Sequence, residues 1–237
     1  MALKVRYSSE VFLLRGAHED RLLNETQGFL DECRRRLEPC AGDKIPPVFT
    51  AVNEFFEMLP MAGTIGKEIF CTHSGIGSTI GKVEEINALQ RPFELVAEVT
   101  TPEQQMAVDL LWSDPDDSIS GVKAHASRDP KSTRNIVKFG PDRVAQFLSL
   151  NGFSKMIRSH ETAVGGFGQA AGGDVITLTS CSNYCGMQGN LGALCSVNKA
   201  LKLKCKALQA AQTPVSTWEE QKRPVTPPRF AAMTFKK

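Results

Sequence analysis

The sequence predicts a mixed α/β fold, and two observations lead to this class. Apolar residues recur at helical spacing after Asp20 and again after Pro46–Pro47, which is typical of helices that bury one face. Shorter apolar runs, such as Ile69–Cys71 and Val175–Thr179, have the length and β-branched content of strands. We therefore expect helices and strands to share one hydrophobic core, for which 237 residues suffice.

The first predicted elements are a strand and two helices. Val11–Leu14 is a compact apolar run that indicates a buried strand leading into a loop. Asp20 opens a helix that ends in the solvated run Arg34–Arg36, with an inner face of Leu22, Leu23, Phe29, Leu30, Cys33 and Leu37. A second helix begins at Pro46–Pro47 and stops at Pro60, with an inner face of Phe49, Val52, Phe55, Phe56 and Leu59.

The later part of the chain predicts one helix among several strands. Ile69–Cys71 is expected to be a strand that runs into the loop at His73. The segment Pro141–Leu150 predicts a helix, and Gly152 stands where a C-terminal cap belongs. The remaining predicted strands are Met156–Arg158, Val175–Thr179, Gly192–Val197 and Leu201–Cys205.

Composition limits the kinds of protein that this chain can be. A formal charge of +2 is too small to predict nucleic acid or an acidic membrane as a partner. No segment approaches the roughly 20 apolar residues of a membrane span, and MALKVRYSSE has no apolar signal core. Seven cysteines without a CxxC pair are typical of reduced thiols. We expect a soluble protein of the cytoplasm or nucleus that binds neither nucleic acid nor membrane.

Three of the four histidines, His18, His73 and His160, stand at the ends of short apolar runs. A strand that ends in histidine delivers an imidazole to the edge of a sheet, where α/β enzymes assemble metals and substrates. Taken singly, each such histidine is more often a hydrogen-bonded structural residue than a ligand. Taken together, they indicate part of a metallophosphatase site.

Six segments around these histidines occur in a fixed order: LLRGAHE, CTHSGIG, LLWSDP, FGPD, RSHE and SNYCG. This set resembles the phosphoprotein phosphatase family of serine/threonine phosphatases, and the match is collinear from about Leu3 to Leu208. The stretches HSGIG, VEEINALQRPFEL and FGPDRV are most similar to the kelch-repeat subgroup, although this sequence contains no kelch repeats.

The resemblance implies a fold and a reaction. The fold is a calcineurin-like metallophosphoesterase β-sandwich flanked by helices, here truncated at the N-terminus. The reaction is hydrolysis of phosphoserine and phosphothreonine esters by a water that two divalent metals (Mn, Fe or Zn) activate. The resemblance implies that His73 and His160 are metal ligands, that His18 is the general acid, and that Tyr184 borders the substrate groove.

The sequence departs from the family at the metal site. Ala17 replaces a ligand asparagine, and the carboxylate-bearing motifs GDxHG and GDxVDRG do not occur. Two imidazoles alone seldom hold a catalytic ion, so we expect weak or no metal binding. Ser74 replaces a loop glycine and is expected to crowd or strain the backbone. The phosphate-binding arginine is Arg128 or Arg134, and the Asp-Pro after Arg128 favours the former.

Other conspicuous residues have simpler interpretations. His125 lies in a polar loop and is expected to be solvated, while Trp112 is expected in the core. Asp114 is interpreted as a turn carboxylate. Cys181 and Cys185 are interpreted as small buried thiols, because they have no neighbouring metal ligands in the sequence.

Two functions from different classes follow. The first is a serine/threonine phosphatase that is inactive as this truncated chain, with phosphoprotein substrates or regulatory subunits as partners. The alternative is a pseudophosphatase that binds or scaffolds phosphoproteins or regulators. Under either function, we expect residues 1–209 to form an incomplete phosphatase domain and residues 210–237 to form a disordered Pro-rich tail.

Overall fold

The computed structural model describes residues 1–36 and 44–209 of the chain. The helices in these ranges are α1 (Ala2–Arg6), α2 (Arg21–Thr26), α3 (Phe29–Arg36), α4 (Pro47–Glu57), α5 (Val83–Asn87), α6 (Pro102–Trp112) and α7 (Pro141–Asn151). The strands are β1 (Ala62–Ile65), β2 (Ile69–Thr72), β3 (Asp114–Pro115), β4 (Val122–Ala124), β5 (Val137–Phe139), β6 (Lys155–Arg158), β7 (Phe167–Ala170), β8 (Val175–Leu178), β9 (Gly192–Val197) and β10 (Leu203–Leu208). The predicted mixed α/β class is confirmed.

A five-stranded sheet in the order β1-β2-β6-β8-β7 organises the fold. Its three central strands, β2, β6 and β8, run parallel, whereas β1 and β7 join the two edges in antiparallel orientation. Parallel neighbours place their carboxyl ends at the same edge of the sheet. The loops that follow β2 and β6, which carry His73 and His160, are therefore neighbours in space.

Helix α6 crosses the middle of the core. Thr101 and Gln104 form a capping box at its start, and Pro102 occupies the first turn, where a missing N–H costs nothing. Every residue from Ala107 to Trp112 is buried, which explains why this helix shows little amphipathic patterning in the sequence. Its C-terminal end leads directly into Ser113 and Asp114, which contact Ser74 after β2 and Arg158 of β6.

Helix α7 packs an aromatic contact onto the sheet. Phe147 meets Phe70 of β2 with ring centroids 5.0 Å apart in an edge-on arrangement, and both rings are fully buried. The helix ends at Gly152, whose φ of +69° is the left-handed cap that the sequence predicts. A mixed sheet of β3, β5 and β4 and the antiparallel hairpin β9–β10 complete the described strands.

Several predicted elements differ from the structure. Val11–Leu14 is not a strand, and Phe12 is 77% exposed. Among the described residues, this segment and the residue after it form one backbone hydrogen bond to another part of the fold, from Arg15 N to Pro60 O at 2.8 Å. The helix expected after Asp20 is two helices, because Gly28 adopts a φ of +96° between them. The last strand begins at Leu203 rather than Leu201, since the turn uses Leu201 in the left-handed region.

Part of the predicted structure falls outside the described residues. The predicted tail, residues 210–237, lies outside the described residues, as does Leu37. Within the part of the chain that the structure describes, no helix combines the length and apolar character required to cross a bilayer.

Candidate functional site

His73 and His160 meet at the carboxyl ends of two adjacent parallel strands. His73 follows β2 directly, His160 follows β6 after one residue, and the two strands are paired in register. His73 Nε2 lies 3.2 Å from His160 Nδ1, and the rings stand edge-on. His160 adopts a φ of +64°, which is unusual for a residue with a β-carbon and indicates a constrained loop. The structure thus brings these two imidazoles together.

Both imidazoles are held in the neutral form at neutral pH. Burial, followed by the positive charge of Arg158, lowers the pKa of His73 to about 4. Burial, followed by the charge of Arg128, lowers the pKa of His160 to about 2. His160 Nε2 is buried, and no hydrogen-bond partner for it occurs in the structure as described. A buried nitrogen with an open lone pair or proton is the kind of atom to which a ligand binds.

Asp114 is the anionic centre of the site. Its Oδ1 accepts a 2.6 Å hydrogen bond from Arg158, and its Oδ2 accepts from Arg128 and, at 3.1 Å, contacts His125 Nε2. Burial alone raises the pKa of a carboxyl group, but the hydrogen bond of His125 and the charges of Arg158 and Arg128 outweigh it and leave the pKa of Asp114 lowered. Asp114 is therefore ionised and positions three basic side chains.

These contacts correct two expectations. His125 is not solvated: it is 7% exposed and bonded to Asp114. Asp114 is not a turn carboxylate, since it follows α6 into the core and is 1% exposed. Sequence patterns missed both because the contact between His125 and Asp114 depends on the loop 125–136 and on the pairing of β5 with β3 and β4, which bring two separate segments together. Trp112 is buried as predicted and stands edge-on to His160 at 5.4 Å.

Arg158 is a site residue that the sequence reading missed. It is 1% exposed and donates to Asp114, to Glu161 at 2.6 Å and to the carbonyl of Ser74 at 2.5 Å. A signal was available in KMIRSHE, because Arg158 lies two positions after Met156 on a strand and so faces the same buried side. A charge on a buried face requires a buried partner of opposite sign.

The two candidate arginines occupy different environments. Arg128 has a side chain 28% exposed, donates through Nε to Asp114, and its charge acts on both His73 and His160. Arg134 is 4% exposed along its side chain and forms an ion pair of 3.0 Å with the fully buried Asp20. The structure thus places Arg128 beside the histidine pair, whereas Arg134 serves the start of α2.

Ser74 does not strain the loop as the sequence led us to expect. It has no positive φ, and its Oγ donates to the carbonyl of Ser113 at 2.6 Å. The hydroxyl also accepts from Arg158 at 3.3 Å. Its β-carbon is accommodated because the side chain supplies hydrogen bonds to an otherwise buried polar cluster.

Of the remaining predicted residues, His18 lies near His73, whereas Tyr184 and the two cysteines lie on the turn between β8 and β9. His18 is exposed, and its charge contributes to the lowered pKa of His73. Gly16 passes so close to His73 that a β-carbon there would lie 3.2 Å from the ring. Tyr184 stands half-buried on the 3₁₀ turn between β8 and β9, where its N–H donates to Asn190. Cys181 and Cys185 on this turn are exposed, so the expectation of buried thiols is wrong.

The donor set fits a resident metal ion only in part. Two neutral imidazoles supply nitrogen donors, but the described ranges contain no group of three or more His, Cys, Asp or Glu side chains arranged around a common ion. Metal sites in enzymes generally use about three protein ligands plus water. The described residues do not meet this requirement by themselves.

Comparisons with known proteins agree on one family. Residues 1–163 match the family model "Calcineurin-like phosphoesterase". The chain is 37% identical over 246 aligned positions to the serine/threonine-protein phosphatase BSL2 of Arabidopsis thaliana, covering 97% of this chain and 23% of BSL2. A solved serine/threonine phosphatase of Saccharomyces cerevisiae, described as similar to human phosphatase PP5, superposes with a TM-score of 0.75 at 28% identity, covering 90% of this chain and 65% of the yeast chain.

Proposed function

Because the chain belongs to the calcineurin-like phosphoesterase family, we propose that it contributes the histidine and arginine side of a serine/threonine phosphatase site. The observation that carries this proposal is the 3.2 Å approach of His73 to His160 above the charged cluster of Asp114, Arg128 and Arg158. The chain spans 23% of BSL2 and 65% of the yeast phosphatase chain. Phosphatase activity and phosphoprotein substrates are therefore proposed for this chain on the basis of its site.

Arg128 is the proposed binding group for the phosphoryl dianion. Its Nε donates to Asp114, and no described residue accepts a hydrogen bond from its two Nη groups. A guanidinium that is fixed at one side and open at the other can bind two phosphoryl oxygens at once. Arg158 cannot share this task, because its side chain is fully buried and its two Nη groups donate to Asp114 and Glu161.

His73 and His160 are proposed to supply two ligands to a divalent metal when further donors complete the set. When bound, such a metal activates a water and neutralises the phosphate. The lowered pKa values of both imidazoles keep their lone pairs available at neutral pH. His18 is exposed beside this pair and is proposed to donate a proton to the leaving alkoxide, and Tyr184 is proposed to border the groove.

A binding module without hydrolysis is the second candidate. Ala17 has no donor atom at the position where the family carries an asparagine ligand, and only two imidazoles converge among the described side chains. On this hypothesis Arg128 binds the phosphoryl group of a phosphorylated partner or regulator, and the two histidines have a structural role in the site without binding a metal.

One pair of assays on the 237-residue chain tests the proposal. With Mn²⁺ present, we expect no hydrolysis of an aryl phosphate or a phosphoserine peptide above buffer, because the carboxylate motifs are not in the sequence. We expect binding of the phosphoserine peptide over its unphosphorylated form, and loss of that preference in Arg128→Gln. Absence of any phosphate-dependent binding contradicts both functions.

Hydrolysis is the outcome that separates the two candidates. Turnover that disappears in His160→Ala establishes the enzyme and contradicts our expectation for this chain. The mass of the endogenous polypeptide, compared with 25.9 kDa, shows whether additional donors accompany these residues in the cell.

A further inference from the structure

The hairpin β9–β10 brings two cysteines directly opposite each other. Cys195 of β9 and Cys205 of β10 are register partners in an antiparallel pair. Side chains of register partners project to the same face of a two-stranded sheet, so the two thiols are neighbours. Burial and the adjacent Cys195 raise the pKa of the Cys205 thiol to about 11, which agrees with contact between the two sulfur atoms.

Cys195 and Cys205 occupy the kind of position in the antiparallel ladder at which opposite side chains are closest to each other. Asn198 N donates to Lys202 O at 3.1 Å, so this pair occupies a hydrogen-bonded position. Hydrogen-bonded and non-hydrogen-bonded pairs alternate along an antiparallel ladder. Cys195 and Cys205 are three pairs further along and therefore occupy a non-hydrogen-bonded position, where Cα atoms are about 4.5 Å apart. That separation lies within the range that a disulfide spans.

Both thiols are accessible to a small oxidant. Cys195 and Cys205 are only partly buried, and the hairpin lies on the outside of the fold. Exposed Lys204 and Lys206 precede and follow Cys205, on the opposite face of β10, and add positive charge to the hairpin. Glutathione disulfide is anionic and is attracted to such a surface.

From this geometry we infer that Cys195 and Cys205 form a reversible disulfide by exchange with glutathione disulfide. The thiolate of one cysteine attacks glutathione disulfide, forms a mixed disulfide, and releases one glutathione, which takes up a proton. The thiolate of the other cysteine then attacks the protein sulfur of that mixed disulfide and releases the second glutathione. The two protein thiols are oxidised to one disulfide, and one glutathione disulfide is reduced to two glutathione molecules.

A third thiol makes the inference specific. Cys71 of β2 is close enough that Cys195 contributes to the raised pKa of its thiol. Cys71 lies on β2 of the five-stranded sheet, whereas Cys205 shares the hairpin with Cys195, where the register already aligns the two side chains. We therefore expect the hairpin pair to form, rather than a link between hairpin and sheet.

The experiment incubates the whole chain with glutathione disulfide, blocks free thiols, and maps disulfides in a tryptic digest without reductant. Trypsin cuts after Lys199, Lys202 and Lys204, between the two cysteines, so their disulfide joins two peptides that reduction separates. The peptide Ser159–Lys199 carries Cys181 and Cys185 as well as Cys195, so fragmentation of the linked species by mass spectrometry assigns the sulfur. We expect this linked species to dominate, the chain to lose two reactive thiols, and dithiothreitol to restore both. The mapping is made on the unaltered chain and does not depend on how a variant folds.

Variants supply the matched controls. Cys205→Ser is expected to abolish the linked species and leave glutathione on Cys195, whereas Cys71→Ser and Cys181→Ser are expected to preserve it. A disulfide that maps to Cys71–Cys195 overturns the inference, as does glutathione on Cys195 of the unaltered chain without closure.

Discussion

Asp114 and Arg158 form an ion pair that is almost completely withdrawn from solvent: Oδ1 lies 2.6 Å from Nη2, and the side chains are 2% and 0% exposed. A buried charge without its partner is costly, because the protein interior solvates it poorly. We predict that Asp114→Asn destabilises the fold by about 3 to 5 kcal/mol, measured by urea unfolding.

A matched control for this pair exists on the surface. Lys155 and Asp174 lie 2.8 Å apart with side chains 36% and 43% exposed. Asp174→Asn is expected to change stability by less than about 1 kcal/mol. The double variant Asp114→Asn with Arg158→Met should cost less than the sum of its single variants, since it removes both charges together. Equal costs for the two carboxylates would contradict the central role of Asp114.

The same carboxylate predicts a pH dependence of stability. The pKa of Asp114 is lowered in the folded state relative to about 3.9 in an unfolded chain. A lowered carboxyl pKa contributes stability above the unfolded pKa, and this contribution is lost as pH falls toward the folded pKa. We predict that the difference in unfolding free energy between the unaltered chain and Asp114→Asn is constant from pH 8 to about 5 and shrinks below about pH 4. A difference that stays unchanged down to pH 3 is incompatible with this assignment.

Arg128 is predicted to contribute to phosphate binding and Arg134 to the stability of the fold. Arg128→Gln should weaken binding of inorganic phosphate roughly tenfold or more, because a charge-assisted contact is lost, while the fold retains most of its stability. Arg134→Gln should leave phosphate binding intact but destabilise the chain by about 3 kcal/mol, since it breaks the buried pair with Asp20. Calorimetric titration and urea unfolding of both variants separate the effects. The reverse pattern would assign the phosphate site to Arg134.

The sequence was sufficient for the elements that define the sheet edge. β2, β6 and β8 are short apolar runs that the sequence predicts as strands, and the two histidines that follow β2 and β6 lie together in the structure. The sequence also predicted helix α7 and its Gly152 cap, because proline at the start of a helix and glycine after its end are strong local signals. The elements themselves follow from local chemistry, whereas the meeting of the two histidines also requires the parallel pairing of β2 with β6.

The charged cluster could not be predicted in the same way, because its members are far apart in the sequence. Asp114, His125 and Arg158 come from three distant segments, and their meaning depends on how α6, the loop before β5 and β6 converge. Helix α6 itself has no clear polar face, since it is buried from Ala107 onward. Long-range packing decided these contacts, although strand alternation in KMIR already places Arg158 on the buried face.

The paired imidazoles yield a last prediction, on metal affinity. His160 Nε2 is buried and has no hydrogen-bond partner within the described ranges, while its Nδ1 faces His73. Two nitrogen donors can attract a divalent ion but cannot fix its geometry, so binding of Zn²⁺ or Mn²⁺ to this chain should be weak. Titration with Zn²⁺, followed through the imidazole proton resonances, should shift His73 and His160 together. His160→Gln should remove the shift of His73, whereas Cys181→Ser, on a separate exposed turn, should leave it in place. Tight, stoichiometric binding of two ions would show that these residues find further donors within the same 237 residues.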